Sequence, residues 1–426
     1  MFVVMAAMVI LFVLSTMLVT VSVYNVTSAQ REETRMRALH VADAGLNAYL
    51  AGMRHDGPLY ATNNPTLGPT ATSGGTWTAS IVASQSAYVV RSAGTVTGAG
   101  GASTTRVLVS RVAYPTFADY TVMADCNQTI GADAVFIGKY ATTGSLENYG
   151  KVYADASRTA AGELWAGTTI VTWPGSKPLL SVAVEATQVH PNLNAGLSSG
   201  TKWVDFSKIS GDMTILETTA AGSGTSFPKN AGCIGYQVVL NGGTYSLYSV
   251  KGPNKMKGSS LTYTPITGMQ NLAIPSAGVL YFHDDVWVKG KYNAAITIAS
   301  EGDIMLTQDI TPTDPTSRFT CGLVAQSNIW IPIEYPISEL PDQLTIQAAL
   351  MAIDGHCGVA PGSSLRTRFT FTGSRTFRLT SGLLNGNGSG FANRLYDYDE
   401  RLNIFPPPKF PVIHNGELKV TTWQEQ

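Results

Sequence analysis

The chain opens on MFVVMAAMVILFVLSTMLVTVSVYNVTSAQ, a stretch of 30 residues with no charged side chain, and then turns abruptly into REETRMRALH. Its first 14 residues are wholly apolar, and only Ser15, Thr16, Thr20 and Ser22 interrupt the run before Tyr24. As a helix, about 20 such residues cross the hydrocarbon of a bilayer. A secretory signal peptide fits poorly, because it needs a basic start, a shorter apolar core and a small-residue cleavage site. Here Arg31, Arg35 and Arg37 follow the run instead of preceding it. Beyond residue 30 no other segment approaches the ~18 consecutive apolar residues of a spanning helix, so the chain has at most a single anchor.

No proline occurs before Pro58, which leaves one helix free to run from residue 1 to residue 54. Its second half carries Met36, Leu39, Leu46, Tyr49, Leu50 and Met53 at helical spacing, with Arg31, Glu32, Glu33, Arg35, Arg37 and Asp43 on other faces. At 1.5 Å per residue the element would be roughly 80 Å long. Gly57-Pro58 ends it. The β-branched stretch 15–28 is where the helix is expected to loosen. An apolar helix of this length needs a partner along it: either the lipid of a membrane anchor or identical stems packed in a filament core.

The rest of the sequence reads as β structure, giving a fold class of α+β, mainly β. In GTWTASIVASQSAYVVRSAGTVTGAGGASTTRVLVSRVA (75–113), Trp77, Ala79 and Ile81, then Tyr88 and Val90, then Val107 and Val109, alternate with polar residues. Three or four strands of an antiparallel meander follow from that period. From about 117 the texture changes to short apolar strands broken by Gly, Asn and Asp. VLYFHDDVWVKG (279–290), ITIASEGDIMLTQ (296–308) and GLVAQSNIWIP (322–332) each place a polar corner, ending in Asp285, Asp303 or Asn328, between two strands. Repeated corners imply stacked coils of a β-solenoid, each burying its apolar face on its neighbours. The corners recur after about 18 and then about 26 residues, so a distorted β-helix or a β-sandwich stays open. The expected organisation is a stem over 1–56, a meander over 57–116, a solenoid-like body over 117–392 with an irregular insertion at about 190–275, and a Pro-rich tail over 393–426.

Charged residues make up only 13% of the chain and the formal net charge is −1, with no basic patch, so no nucleic-acid partner is expected. Cys126, Cys233, Cys321 and Cys357 form no C-x-x-C pair, against a zinc site. Outside the cell they could form two bridges, with Cys321–Cys357 and Cys126–Cys233 as the expected pairs; four buried free thiols is the alternative.

The apolar helix followed by ALHVADAGLNAYL (38–50), the strands YVVRSAGTVTG and TTRVLVSRV, and the ending YDYDERLNIFPPPKFPVI resemble type IV pilin-like proteins, especially the PilX-like pilus assembly group. Members carry a short basic leader that prepilin peptidase removes just before the stem, and often an A-x-x-A-E-A-G-like stretch, where this chain has Asp43. The resemblance implies a processed, N-methylated Met1. It also implies a filament core built from Phe2, Val4, Met5, Ile10, Leu11, Phe12, Leu14 and Leu18, with Met36, Leu39, Leu46 and Leu50 facing the chain's own sheet. The partners implied are further copies of the chain in a helical homopolymer, the type IV pilus assembly machinery, prepilin peptidase, and the cytoplasmic membrane before assembly. Most main pilins have a glutamate at the fifth mature position, where this chain has Met5. That departure leaves a low-copy tip pilin or adhesin open.

No catalytic pattern stands out. The six histidines show no H-E-x-x-H or other ligand spacing, and no G-x-S-x-G or phosphate-binding glycine loop precedes a βα unit. Neither enzymatic activity nor a cofactor is expected. Two places offer hard carboxylates to a divalent cation: HDD, with Asp284 and Asp285, and YDYDE, with Asp397 and Asp399. A solvated turn and an alternating charged tail are the plainer readings. Asn127-Gln-Thr129 and Asn387-Gly-Ser389 match the glycosylation acceptor pattern. The remaining alternative is a membrane-tethered β-solenoid that binds or cleaves polysaccharide, an analogy at the level of the fold.

Overall fold

The structure is a computed structural model. It describes residues 2–56, 58–83, 88–98, 101–113, 116–130, 134–142, 146–148, 151–153, 163–166, 170–171, 189–190, 206, 210–379, 382–413 and 418–425. The chain is α+β, mainly β, and divides into two units: residues 1–113 with 417–426, and residues 114–416.

The first unit is built on helix α1, Phe2–Asp56. It runs unbroken through 15–28, contrary to the expectation that it would loosen there. The hydroxyls that weaken the local propensity turn back on the helix: Thr16 and Thr20 donate to the carbonyls of Phe12 and Thr16 at 2.6 and 2.8 Å, and Thr27 to that of Val23 at 2.7 Å. In its second half Ala38, Val41, Ala42, Leu46, Tyr49, Leu50 and Met53 are buried. Of the side chains expected on that face, Leu39 is half-buried and Met36 is 46% exposed, so Met36 lies off the packed stripe.

After the short helix α2, Pro58–Asn63, four antiparallel strands follow: β1 Thr66–Thr72, β2 Gly75–Ala83, β3 Tyr88–Thr97 and β4 Ser103–Ala113. The second half of α1 lies mainly on β3 and β4. The approach is close: a Cβ on Gly94 would sit 2.3 Å from the Ala38 carbonyl oxygen and the Ala42 nitrogen, both backbone atoms. Only glycine fits there. The meander gains a fifth strand from the far end of the chain, Lys419–Glu425, antiparallel to β4 with Trp423 opposite Ser110. The expected Pro-rich tail is therefore split between the two units, because its last strand pairs with the meander.

The second unit is a β-solenoid of parallel strands. One rank runs, neighbour to neighbour, through Thr225–Phe227, Val279–Phe282, Ile296–Ser300, Cys321–Ala325, the ends of Gln343–Ala352 and Leu365–Phe377, then Val122–Ala124, Lys139–Thr142 and Glu163–Ala166. The stack is out of chain order. Val122–Ala124 lies against Arg375–Phe377, and Ala134–Ile137 pairs with Gly390–Asp397. The described strands between 122 and 190 thus extend the stack beyond its C-terminal coils, and residues 225–242 form its opposite end.

The region expected as an irregular insertion supplies that end. Tyr236–Gly242 pairs in parallel with Val286–Tyr292, and Gly235–Gly242 folds back on Thr244–Lys251 as an antiparallel hairpin. This covers an edge that would otherwise present unpaired backbone groups. Helix α3, Ser210–Ser223, precedes it.

Rows of like side chains stack inside the coils. Leu280, Ile298, Leu323 and Leu350 are consecutive neighbours in one row, and Val286, Ile304, Ile329 and Cys357 in another. Arg375 continues the first row, 4% exposed, with its guanidinium 4.8 Å from the Phe377 ring centroid and 5.5 Å from that of Tyr396. The first rank is buried on its outer side as well. There Val279, Tyr281, Ala299, Val324 and Met351 meet Met213, Leu216 and Ala220 of α3, and Leu402, Phe410 and Ile413 of the proline-rich segment. Burial on both faces is why VLYF and CGLVA read as unbroken apolar runs rather than alternating ones.

No disulfide joins any of the four cysteines, so neither expected bridge is formed. Cys321 begins a first-rank strand opposite Ile296, whereas Cys357 lies in the second rank opposite Ile329. Burial pushes both thiols up to about 12, which keeps them protonated and inert.

Candidate functional site

The largest apolar surface is the first half of α1. Every described side chain from Met8 to Val26 is exposed, including Ile10, Leu11, Phe12, Leu14 and Leu18, as is Met5. Phe12 is 69% and Leu18 72% exposed. Phe2 and Val4 belong to the helix but their side chains fall outside the description, and Met1 lies outside the described residues. The helix is long and apolar enough to cross a bilayer. Tyr24, also exposed, ends the apolar zone where an interfacial aromatic would sit. The first charges form exposed pairs along the helix: Arg35 with Glu32 at 3.7 Å and Arg37 with Glu33 at 2.5 Å. Such exposed pairs contribute little stability.

The carboxylates singled out in HDD have partners of another kind. Asp285 Oδ1 accepts the Asp303 N–H at 2.7 Å, Asp303 Oδ1 accepts the Asn328 N–H at 3.0 Å, and Asn328 Oδ1 accepts the His356 N–H at 2.9 Å. The three corner residues thus make a ladder that links each coil to the next. Lys255 closes it, with Nζ 2.6 Å from Asp285 Oδ2 and 2.8 Å from Asp303 Oδ2. Burial works to lower the Lys255 pKa, but the hydrogen bonds and charges of the two aspartates outweigh it and hold the ammonium above its ordinary value. Asp284 accepts the Asn230 N–H at 3.0 Å. In this arrangement Asp284 and Asp285 fasten corners of the coils.

In YDYDE, Asp399 is gripped by the Arg401 guanidinium, Nε to Oδ1 at 2.8 Å and Nη2 to Oδ2 at 2.6 Å, and is 6% exposed. Asp397 lies on the strand Gly390–Asp397, opposite Thr372. The two do not form a joint site, since Asp399 is committed to arginine. Asn387 of the second acceptor triplet is engaged in its own turn, donating to the Gly362 carbonyl at 2.8 Å and accepting from the Ser389 hydroxyl at 2.8 Å.

One cluster was not foreseen from spacing. Glu217, His283 and Glu301 bring one carboxylate oxygen, one ring nitrogen and another carboxylate oxygen within 4.8 Å of one another, the one such group among the described residues. His283 and Glu301 directly follow Phe282 and Ser300, which are neighbours in the first rank, so they stand at the same corner of successive coils. Glu217 reaches them from α3, which is seated by Leu216 and Ala220. His283 Nδ1 is 2.8 Å from Glu301 Oε1, which also accepts the Tyr281 hydroxyl at 3.2 Å. His283 Nε2 is 3.9 Å from Glu217 Oε1 and 3.4 Å from Ser226 Oγ. The histidine belongs to the HDD motif, but nothing local in the sequence ties it to residues 66 positions upstream and 18 downstream.

No family model matches this chain, and no curated protein does. A solved structure, an ice-binding protein from the Antarctic ascomycete Antarctomyces psychrotrophicus, is similar at 8% identity and a TM-score of 0.24, over 66% of this chain and 95% of that one. At that score the likeness carries no argument.

Proposed function

We propose that this chain is a structural subunit of an extracellular filament of the type IV pilus kind. Its apolar half-helix is held in the cytoplasmic membrane before assembly and packed against identical half-helices afterwards. The observation that carries the reading is the run of exposed apolar side chains from Met8 to Val26, on a helix whose other half is buried in the chain's own sheet. Such a surface is stable only in lipid or against other apolar helices. Packing one copy's stem on the next copy's stem is a heterologous contact that need not close, which is the geometry of a filament. The β body then forms the filament's surface.

The test is mass spectrometry on filaments sheared from cells, quantifying the chain and reading its N-terminus. A dominant chain beginning at methylated Met1 supports the main-subunit role. Trace amounts with the same end favour a tip subunit, the reading that Met5 supports, since no carboxylate is available there to fix the register. Absence from filaments with presence in membranes overturns the proposal in favour of a tethered β-solenoid.

A further inference from the structure

We infer that Glu217, His283 and Glu301 form a binding site for a zinc-like divalent cation that clasps α3 to the first coils of the solenoid. The argument starts from the histidine's two nitrogens. Glu301 is an acceptor 2.8 Å from Nδ1, so the Nδ1–H points at it and Nε2 presents its lone pair on the other side. That arrangement, a carboxylate orienting an imidazole through its second nitrogen, is the outer-shell pattern of metal-binding histidines. Tyr281, donating to the same Glu301 oxygen at 3.2 Å, fixes the carboxylate in turn.

The Nε2 lone pair then faces Glu217 Oε1 across 3.9 Å. This is too long for a hydrogen bond, which spans about 2.7–3.2 Å. Besides the Ser226 hydroxyl at 3.4 Å, nothing closer among the described residues faces this nitrogen, and the gap to Glu217 is of a size that a small cation would fill. Zinc bonds of ~2.0–2.2 Å to nitrogen and oxygen, at the tetrahedral angle, place two ligands about 3.4 Å apart. Closing the gap by about half an ångström achieves this, within reach of the Glu217 side chain, which is 47% exposed and free to change rotamer. Ser226 Oγ, 3.4 Å from Nε2, stands where a metal-bound water would be held. An imidazole ligand favours zinc over calcium or magnesium, which take oxygen donors. Glu217 of the helix and His283 of the coil would be the direct ligands, with Glu301 of the next coil orienting the ring and water completing the coordination.

The experiment uses the full chain in detergent, dialysed against buffered zinc chloride, with bound zinc quantified and thermal unfolding followed with and without the metal. Wild type is expected to hold about one zinc more per chain than His283→Gln, the control for the other histidines and cysteines. Its melting temperature should rise with zinc and not with calcium. Glu217→Gln, which leaves the His283–Glu301 contact intact, is expected to weaken zinc binding at least tenfold. Near-ultraviolet circular dichroism confirms that each variant keeps its fold. Equal zinc uptake by wild type and His283→Gln, or uptake undiminished in Glu217→Gln, overturns the site and leaves the cluster a histidine between two carboxylates.

Discussion

The two halves of α1 are covalently one helix and physically two different objects. From Met8 to Val26 its apolar side chains are all exposed; from Ala38 to Met53 a stripe of seven residues is buried on the chain's own sheet. Both carry Leu, Val and Met, but only the second half mixes them with charged side chains. What separates them is arrangement. The first half is apolar on all sides, so no single sheet could cover it. The second is apolar on one side only, and β3 supplies Gly94 so that the backbones can close. An all-round apolar helix requires a surrounding, whereas an amphipathic one requires a floor.

The comparison can be broken most directly by charging the first half. Leu11→Lys places an ammonium in the middle of the apolar run, at a cost of about 2.5–3.5 kcal/mol in a bilayer centre. Loss of the chain from the membrane fraction and from filaments is the expected result, with the second unit's fold unchanged. Retention in both would mean the first half has no apolar surrounding.

A paired truncation sharpens it. Leu46→Ala is expected to cost about 2–5 kcal/mol in chemical denaturation, as for other buried leucines. Leu18→Ala in the same detergent-held monomer should stay within about 0.5 kcal/mol. Equal effects would show that both halves are supported in the same way.

Next in size is the corner ladder of the solenoid. Lys255→Met leaves Asp285 and Asp303 facing each other uncompensated, and about 1–2 kcal/mol is expected after allowance for a lysine that is 37% exposed. The sign with pH follows from the raised pKa. Lys255 contributes fully below the ordinary lysine value of about 10.4, and its contribution is lost as pH rises through the higher folded value. Alkaline melts of wild type and Lys255→Met should therefore converge. The smallest effect is chemical: a thiol reagent at mild alkaline pH should leave Cys321 and Cys357 unmodified in the folded chain and reach them only on unfolding. Rapid labelling of either would contradict their burial.

Much of this was readable locally. The unbroken helix, its stop at Gly57-Pro58, the meander and the three corners at Asp285, Asp303 and Asn328 each rest on neighbours within a few residues, where periodicity and backbone preference operate. The errors are also physical. The β-branched stretch 15–28 did not loosen the helix; its threonine hydroxyls bond back to the helix's own carbonyls. Met36 kept the helical spacing but fell beyond the packed stripe. HDD drew attention to its two aspartates because carboxylates are visible in any sequence, while Lys255, the partner of Asp285, lies 30 residues away and Asn230, the partner of Asp284, lies 54 away.

By itself, then, the sequence determined the long helix, the meander and the corner-bearing strands, and that one half-helix is too apolar to face water; α3, the hairpin at 235–251 and the choice of stacked coils over a sandwich were not legible in it. Only the tertiary structure decided the order of stacking, with Val122–Ala124 seated on Arg375–Phe377 and the last strand of the chain returned to the meander. It alone brought Glu217, His283 and Glu301 to one corner. The reason is common to all three. Strands, parallel or antiparallel, offer the same backbone hydrogen bonds to any neighbour, so the choice among neighbours is made by side-chain rows and coverings contributed from distant parts of the chain, and local pattern carries no record of that choice.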